Sequence, residues 1–285
     1  MLNQIMDFIP KIPISEWAKK VTDAMTDHLS FLFDPINKHF GNFMEWISED
    51  VLLSIPPILF IFIIAILAFF ISGKKYGLAS FTIFGLWLIY NQGLWEELMS
   101  TITLVIIASL LSILIGVPIG ILMSKSKVVN TIMTPILDFM QTMPAFVYLI
   151  PAVAFFGIGM VPGVFASLIF ATPPTVRLTN LGIREVSKEL VEAADAFGST
   201  GMQKLFKVEL PMAKTTIMAG INQTVMLALS MVVIASMIGA PGLGREVLSA
   251  LQRAQVGPGF VAGLGIVILA IIIDRITQKM NRKIN

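Results

Sequence analysis

The chain has 285 residues, 56% of them hydrophobic and 13% charged, with a formal net charge of +2 and a mean hydropathy of +0.84. A soluble domain carries about twice that charged fraction, so the composition excludes a water-soluble globule and requires much of the chain to face lipid. There is no cysteine, which removes disulfides and thiolate metal sites from consideration.

Residues 1–50 lack a basic start followed by an apolar core, so no cleavable signal peptide is expected. They show helical period instead. Trp17, Val21, Met25, Leu29 and Leu32 form one apolar stripe, Ile36, Phe40, Phe43 and Ile47 form another, and Pro35 stands between them. Two amphipathic helices lying on the outer membrane face are expected. His28 and His39 are about three helical turns apart and could share a helix face, but they read as solvated interfacial residues and no metal site is expected.

Seven apolar segments follow: Val51 to Ile71, Tyr76 to Leu94, Met99 to Met123, Ile136 to Gly157, Met160 to Leu178, Thr216 to Gly239 and Gly259 to Ile276. The first reaches roughly 30 Å as a helix, one hydrocarbon thickness. Pro144, Pro151, Pro162, Pro173 and Pro174 interrupt the fourth and fifth, which a bundle tolerates where neighbours satisfy the freed carbonyls. The segments are too long and too uniformly apolar for strands.

Charge gives direction. Lys74 and Lys75, Lys125 and Lys127, then Arg184, Lys188, Lys204, Lys207 and Lys214, and finally Lys279, Arg282 and Lys283 all fall on one side of a seven-span chain. The other side has Glu96 and Glu97 and an N-terminal segment with eight acids against four lysines. The positive-inside rule then puts the N-terminus out and the C-terminus in. Arg245 and Arg253, after span six, are exceptions; the "GAPGLG" break (Gly239 to Gly244) suggests a re-entrant element that would hold them outside.

Between spans five and six lies a polar insert, "EAADAFGSTGMQKLFKVELP" (Glu192 to Pro211). Val186, Leu190, Ala194 and Phe197 keep a helical period. Gly198 is placed to end that helix in the left-handed conformation. Thr200 and Gln203 match a capping box, Met202, Leu205 and Phe206 give a second short helix an apolar side, and Pro211 suits the first turn of the next span. Two short helices bent at a glycine are expected, an amphipathic hairpin built to enter a groove on another protein.

Glu192-Ala193-Ala194, Gly198, Val208, Leu210 and Pro211 resemble the coupling-loop signature of bacterial ATP-binding-cassette (ABC) importer permeases, with valine where isoleucine is common. "QTMPAFVYLIPA" (Gln141 to Ala152), "VPGVFASLIFATPPTVR" (Val161 to Arg177) and "IGAPGLGREVLSAL" (Ile238 to Leu251) are similar to the permeases of glycine betaine/proline importers, the osmoprotectant-uptake type of Gram-positive bacteria. The resemblance covers most of the chain. It implies an all-α integral membrane protein of the cell membrane: outer amphipathic helices in 1–50, two accessory spans in 51–94, and a five-helix type I core in 95–280 with a cytoplasmic coupling loop at 183–211. It also implies a cytoplasmic ATPase subunit that binds ATP and Mg, an extracellular substrate-binding lipoprotein and a second permease copy, with no cofactor in this chain. Choline and carnitine relatives are typically shorter, so residues 1–94 favour the glycine betaine branch.

A quaternary ammonium needs a desolvated aromatic cage. All four tryptophans (Trp17, Trp46, Trp87, Trp95) precede the core, and Tyr148 is its one tyrosine, so the receptor is expected to carry the cage. Candidates for the translocation path are Asp138 and Gln141, one turn apart at the inner end of span four, Tyr148, and Asn222 and Gln223 in span six. Asp138 reads equally as an interfacial carboxylate paired with Lys or Arg. Gly116, Pro118, Gly120, Gly263 and Gly265 read as sites of close helix contact.

No G-x-x-x-x-G-K-[ST] stretch occurs, so the chain has no P-loop route to ATP hydrolysis. An ion-coupled transporter would carry an acid deep in a span or inverted repeats, and an enzyme would carry a nucleophile, metal triad or paired carboxylates in one cavity. Neither pattern is found, and nothing points to nucleic acid.

Overall fold

The computed structural model describes residues 13–283, with side chains through 279. Residues 1–12 of the expected outer tail, and the side chains of Arg282 and Lys283, lie outside the described residues. No strand occurs among the described residues.

Helix α1 (Ile14–Glu45) continues through a wide turn over Trp46–Leu53. Pro35 sits inside α1 and does not divide it, contrary to the expected pair of helices. Pro35 and Phe31 are both exposed, so the carbonyl the proline leaves unbonded can be met by water. The two apolar stripes have different fates. Of the first, Trp17, Val21, Met25 and Leu32 stay exposed; of the second, Ile36, Phe40 and Ile47 pack on the core beside Phe33, while Phe43 is exposed. Phe33 stacks on Phe155 at 4.9 Å and Phe40 meets Phe165 at 5.9 Å.

The chain bends by 94° before α2 (Pro57–Ile71), which packs beside α3 (Tyr76–Asn91). Then come α4 (Trp95–Lys125) and α5 (Lys127–Thr142). The expected span from Ile136 to Gly157 is broken: after α5 the chain turns through Ala145–Tyr148 into α6 (Leu149–Phe156), a bend of 110°. Pro144 explains the break, since it donates no N–H and holds Met143 in an extended conformation (φ −70°, ψ 134°). Helix α7 (Met160–Arg184) runs unbroken through Pro173 and Pro174. After it come α8 (Lys188–Ala196), α9 (Gly201–Lys204), α10 (Leu210–Ser236), α11 (Leu243–Gln252) and α12 (Val256–Lys283).

Among the described residues four helical runs are each long and apolar enough to cross a membrane, and counting each bent pair as one span gives up to six. The expected segment not among these is the second, Tyr76 to Leu94, which falls on α3, whose 16 residues reach about 24 Å, short of a full hydrocarbon thickness.

Helix α7 is the centre of the core, packed most extensively on α10 and α4. A Cβ at Gly120 of α4 would lie 2.6 Å from the Val176 carbonyl oxygen of α7, so a side chain there would push the helices apart. A Cβ at Gly116 would meet the Thr175 side chain at 2.9 Å, but Gly263 has open space around it and Gly265 only ordinary contact, so the expectation of close packing holds for the first pair alone. Thr175, lying between the two neighbours of α7, also shares a hydrogen bond of 2.7 Å with Thr224 of α10, and the Thr224 hydroxyl donates to the Ala171 carbonyl at 2.8 Å. These bonds fix the α7–α10 register and with it the base of the loop between them.

Candidate functional site: the α7–α10 hairpin and the two ends of the core

The loop between α7 and α10 is built by local chemistry. Ser187 caps α8, its hydroxyl oxygen accepting from the Leu190 N–H at 3.4 Å. The same hydroxyl donates to the Glu189 carboxylate at 2.5 Å, which, with a backbone hydrogen bond second, holds that carboxyl below its ordinary pKa. At the far end of α8, Gly198 has φ +76°; its N–H donates to the Asp195 carbonyl at 2.9 Å and that of Ser199 to Ala194 at 3.0 Å. The expected capping box is present: Gln203 N–H donates to Thr200 Oγ1 at 3.3 Å, and Thr200 N–H to Gln203 Oε1 at 2.9 Å. Lys204 Nζ bonds both Asp195 oxygens, at 2.7 and 2.8 Å, closing the two arms across the glycine.

The second arm differs from expectation. It is not a separate short helix but runs through one wide turn, Leu205–Glu209, straight into α10. The Leu210 N–H reaches back to the Leu205 carbonyl, and Pro211 has no N–H to offer, so the extra residue in the turn accommodates the proline. The hairpin is therefore the end of a transmembrane helix bent back on α8.

Its surface divides sharply. Ala194 and Leu205 are buried, and Val186 packs beside Leu205 on Ile183 and Ala213. Phe197, Met202 and Phe206 point outward, with Phe197 90% exposed. Sequence period had placed Phe197 with Ala194, but the left-handed residue at 198 ends the helix and frees the ring. Glu192 and Ala193 are also exposed, Val208 and Leu210 are half-buried, and Pro211 is exposed. At the root, Glu209 is buried and forms an ion pair with Lys125, the last residue of α4. In the sequence Lys125 enters only through the charge pattern, and nothing there pairs the two residues.

About 46 Å away, at the other end of α4, the "GAPGLG" break leads into α11, which lies against α12, α10 and α4. The Leu243 N–H donates to Thr101 Oγ1 at 2.9 Å, tying this turn to α4. Arg245 and Arg253 thereby share a polar cavity of about 410 Å³ with Glu96 and Glu97.

The path candidates separate into different environments. Asp138 forms an ion pair with Arg177 of α7, the second of its two expected readings, while Gln141 is exposed. Tyr148 is buried, its hydroxyl donating to the Met140 carbonyl and its ring meeting Phe170 edge-on at 5.9 Å, so it braces the α5–α6 break. Asn222 donates to Asp274 of α12 at 3.1 Å, and Gln223 is exposed on the adjacent face of α10. His28 and His39 are exposed, and no cluster of three metal-ligating side chains occurs among the described residues.

Long apolar helices around α7, a helical hairpin held out at one end and a short helix folded back at the other define a membrane permease subunit. The chain belongs to the family of binding-protein-dependent transport system inner membrane components, whose model matches residues 112–285. It is 58% identical to the glycine betaine/carnitine transport permease protein GbuB of Listeria monocytogenes, over 98% of this chain and 99% of that one. It is 52% identical to the glycine betaine transport system permease protein OpuAB of Bacillus subtilis, over 98% of each. The glycine betaine/proline betaine permease ProW of Escherichia coli is 46% identical, over 95% of this chain and 76% of its own. Among solved structures, the MetNI methionine ABC transporter in an inward-facing conformation aligns with a TM-score of 0.62 at 21% identity, over 70% of this chain and 97% of that one. That likeness concerns the fold. The chain is thus a multi-pass permease subunit of an ATP-driven importer, a transport protein and not an enzyme, in a family that works with an ATPase and a substrate-binding protein.

Proposed function

We propose that this chain is the permease of a glycine betaine importer for osmoprotection, with proline betaine and proline in the same substrate class. The names shared by its relatives support the solute. Choline or carnitine is the second reading, favoured in part by the carnitine in the name of the Listeria relative.

The observation that carries the coupling role is the exposed apolar group Phe197, Met202 and Phe206 on the hairpin. A polar loop in water has no reason to expose two phenylalanines and a methionine together unless a partner covers them. In this reading Glu192, Ala193, Ala194, Gly198, Val208, Leu210 and Pro211 shape the hairpin that docks on a cytoplasmic ATPase, which holds ATP and Mg. The N-terminus is then outside and the C-terminus inside, and residues 1–50 lie along the outer face. The 94° turn before α2 supports that placement, since it sets α1 across the direction of the spans. An external substrate-binding lipoprotein meets the α11 end, and a second permease copy completes the path.

Of the path candidates, Asp138, Gln141 and Gln223 are exposed polar groups on spanning helices, which hydrocarbon would penalise and a water-filled path would not. Tyr148 and Asn222 support that path from behind. The test is uptake of labelled glycine betaine into vesicles holding permease, ATPase and receptor, with ion gradients collapsed. Uptake that requires ATP and the ATPase is expected; uptake that persists without them would overturn the reading.

A further inference from the structure

We propose that Arg177 is the inner carboxylate-binding residue of the path and that the Arg177–Asp138 pair selects zwitterions over simple cations. This rests on the transport reading above and adds to it a residue and a chemical rule.

Arg177 lies seven residues, roughly 10 Å, before the inner end of α7, and Asp138 eleven residues, roughly 16 Å, along α5. Both belong to helices that cross or enter the apolar layer. Yet their side chains are 38% and 57% exposed. An ion pair so open to its surroundings cannot face hydrocarbon, because neither charge is shielded enough to offset its lost hydration. It must open on water, and between spans four and five that water is the path.

The guanidinium is only partly used. Its Nη2 donates to Asp138, while Nε is buried and has no partner. Arg177 lines a cavity of about 590 Å³ with Asn180, Arg184 and Thr134, walled by Leu137 and Leu178. Asn180 donates to Asn130 at 3.0 Å, but its own carbonyl oxygen is also buried and unpartnered in the described structure. Residues with unmet polar atoms thus line this cavity, and unpaired buried polar groups call for an explanation that packing alone does not give.

The charge arithmetic identifies the ligand. A guanidinium presents its donors as a rigid fork, so Nη2 can hold Asp138 while Nη1, which makes no hydrogen bond, takes a second carboxylate. A zwitterion can place its carboxylate on Arg177 and its cationic group toward Asp138 and leave the net charge of the site unchanged. A cation without a carboxylate can engage only Asp138 and draws it from an arginine that then has no counter-charge. The pair therefore admits a solute carrying both charges and penalises one carrying only the positive charge.

The experiment uses the full complex of permease, ATPase and receptor in vesicles and reads glycine betaine taken up per ATP hydrolysed. Arg177→Lys keeps the charge and can keep the bond to Asp138, but loses the fork. Arg177→Gln combined with Asp138→Asn removes both charges, so no orphaned ion destabilises the fold. Both are expected to lower the ratio by about tenfold or more, the scale of a lost charge-assisted carboxylate contact. A wild-type ratio in either variant would mean that the pair is only a clip between α5 and α7. A wild-type complex that takes up no zwitterion would overturn the transport reading and this site together, whereas normal wild-type uptake with unaltered variants overturns the site alone.

Discussion

Lys125 and Glu209, 84 residues apart, form an ion pair that ties the C-terminal end of α4 to the root of the hairpin. The Glu209 side chain is 7% exposed and that of Lys125 39%, so the two members are not equivalent. Removing the lysine strands a buried carboxylate; removing the charge of the acid leaves an ammonium that can turn to water. Lys125→Ala should therefore cost about 1–3 kcal/mol, below the full penalty for a broken buried pair because the lysine is partly hydrated. Glu209→Gln should cost about 1 kcal/mol or less. Thermal unfolding of the purified complex in lipid compares them, and equal losses would mean that the burial of Glu209 does not govern the pair.

Gly198 takes φ +76°, and a Cβ there would meet nothing within 4 Å. The cost of a side chain is thus backbone strain alone. Gly198→Val should cost about 1–2 kcal/mol in the hairpin and re-aim the arm that continues into α10, whereas Gly198→Asn, which tolerates this conformation, should stay near wild type. Both variants should insert in the membrane. Receptor-stimulated ATP hydrolysis is the readout, with a large loss expected for the valine variant only. Equal activity from the two would show that the bend at Gly198 does not carry the coupling to the ATPase.

Tyr148→Phe keeps the ring on Phe170 and removes the hydroxyl that the Met140 carbonyl accepts. A loss of about 1–3 kcal/mol in thermal stability is expected from the unsatisfied carbonyl at the α5–α6 break. An unchanged melting temperature with an altered uptake KM would instead return Tyr148 to direct contact with solute.

What was legible in the sequence was what neighbouring residues decide. The left-handed Gly198, the Thr200–Gln203 capping box and the turn at "GAPGLG" each arise within a few residues, and each is present. Proline was ambiguous because its effect depends on the surroundings: Pro35 and Pro173 stay inside helices, while Pro144 breaks one. Long-range pairs were out of reach. Asp138 could be read as paired, but nothing near it named Arg177, 39 residues away and on another helix. Glu209 sat inside the coupling-loop signature at an undefined position, and only the fold brings Lys125 to it. Phe197 was misplaced for a related reason, because helical period carries no information about where the capping glycine turns the last side chain.

That side chain yields the most direct test of docking. Phe197 is 90% exposed, with Met202 at 66% and Phe206 at 59%, and none of the three belongs to a hydrophobic cluster of the described residues. Truncating an exposed ring changes stability by about 0.5 kcal/mol or less. If the same ring fills a pocket on the ATPase, its loss removes a central anchor, about 2 kcal/mol or more of binding. Phe197→Ala and Phe206→Ala should therefore leave the permease folded and membrane-inserted, with an unchanged melting temperature in the absence of ATPase. Retention of the ATPase on tagged permease should fall by tenfold or more, since about 1.4 kcal/mol corresponds to one decade. Phe197→Leu, which keeps apolar bulk, should recover part of it. Pull-down at graded ATPase concentration, beside thermal unfolding of the permease alone, separates the two effects. Full retention by the double alanine variant would show that the ATPase meets this chain elsewhere.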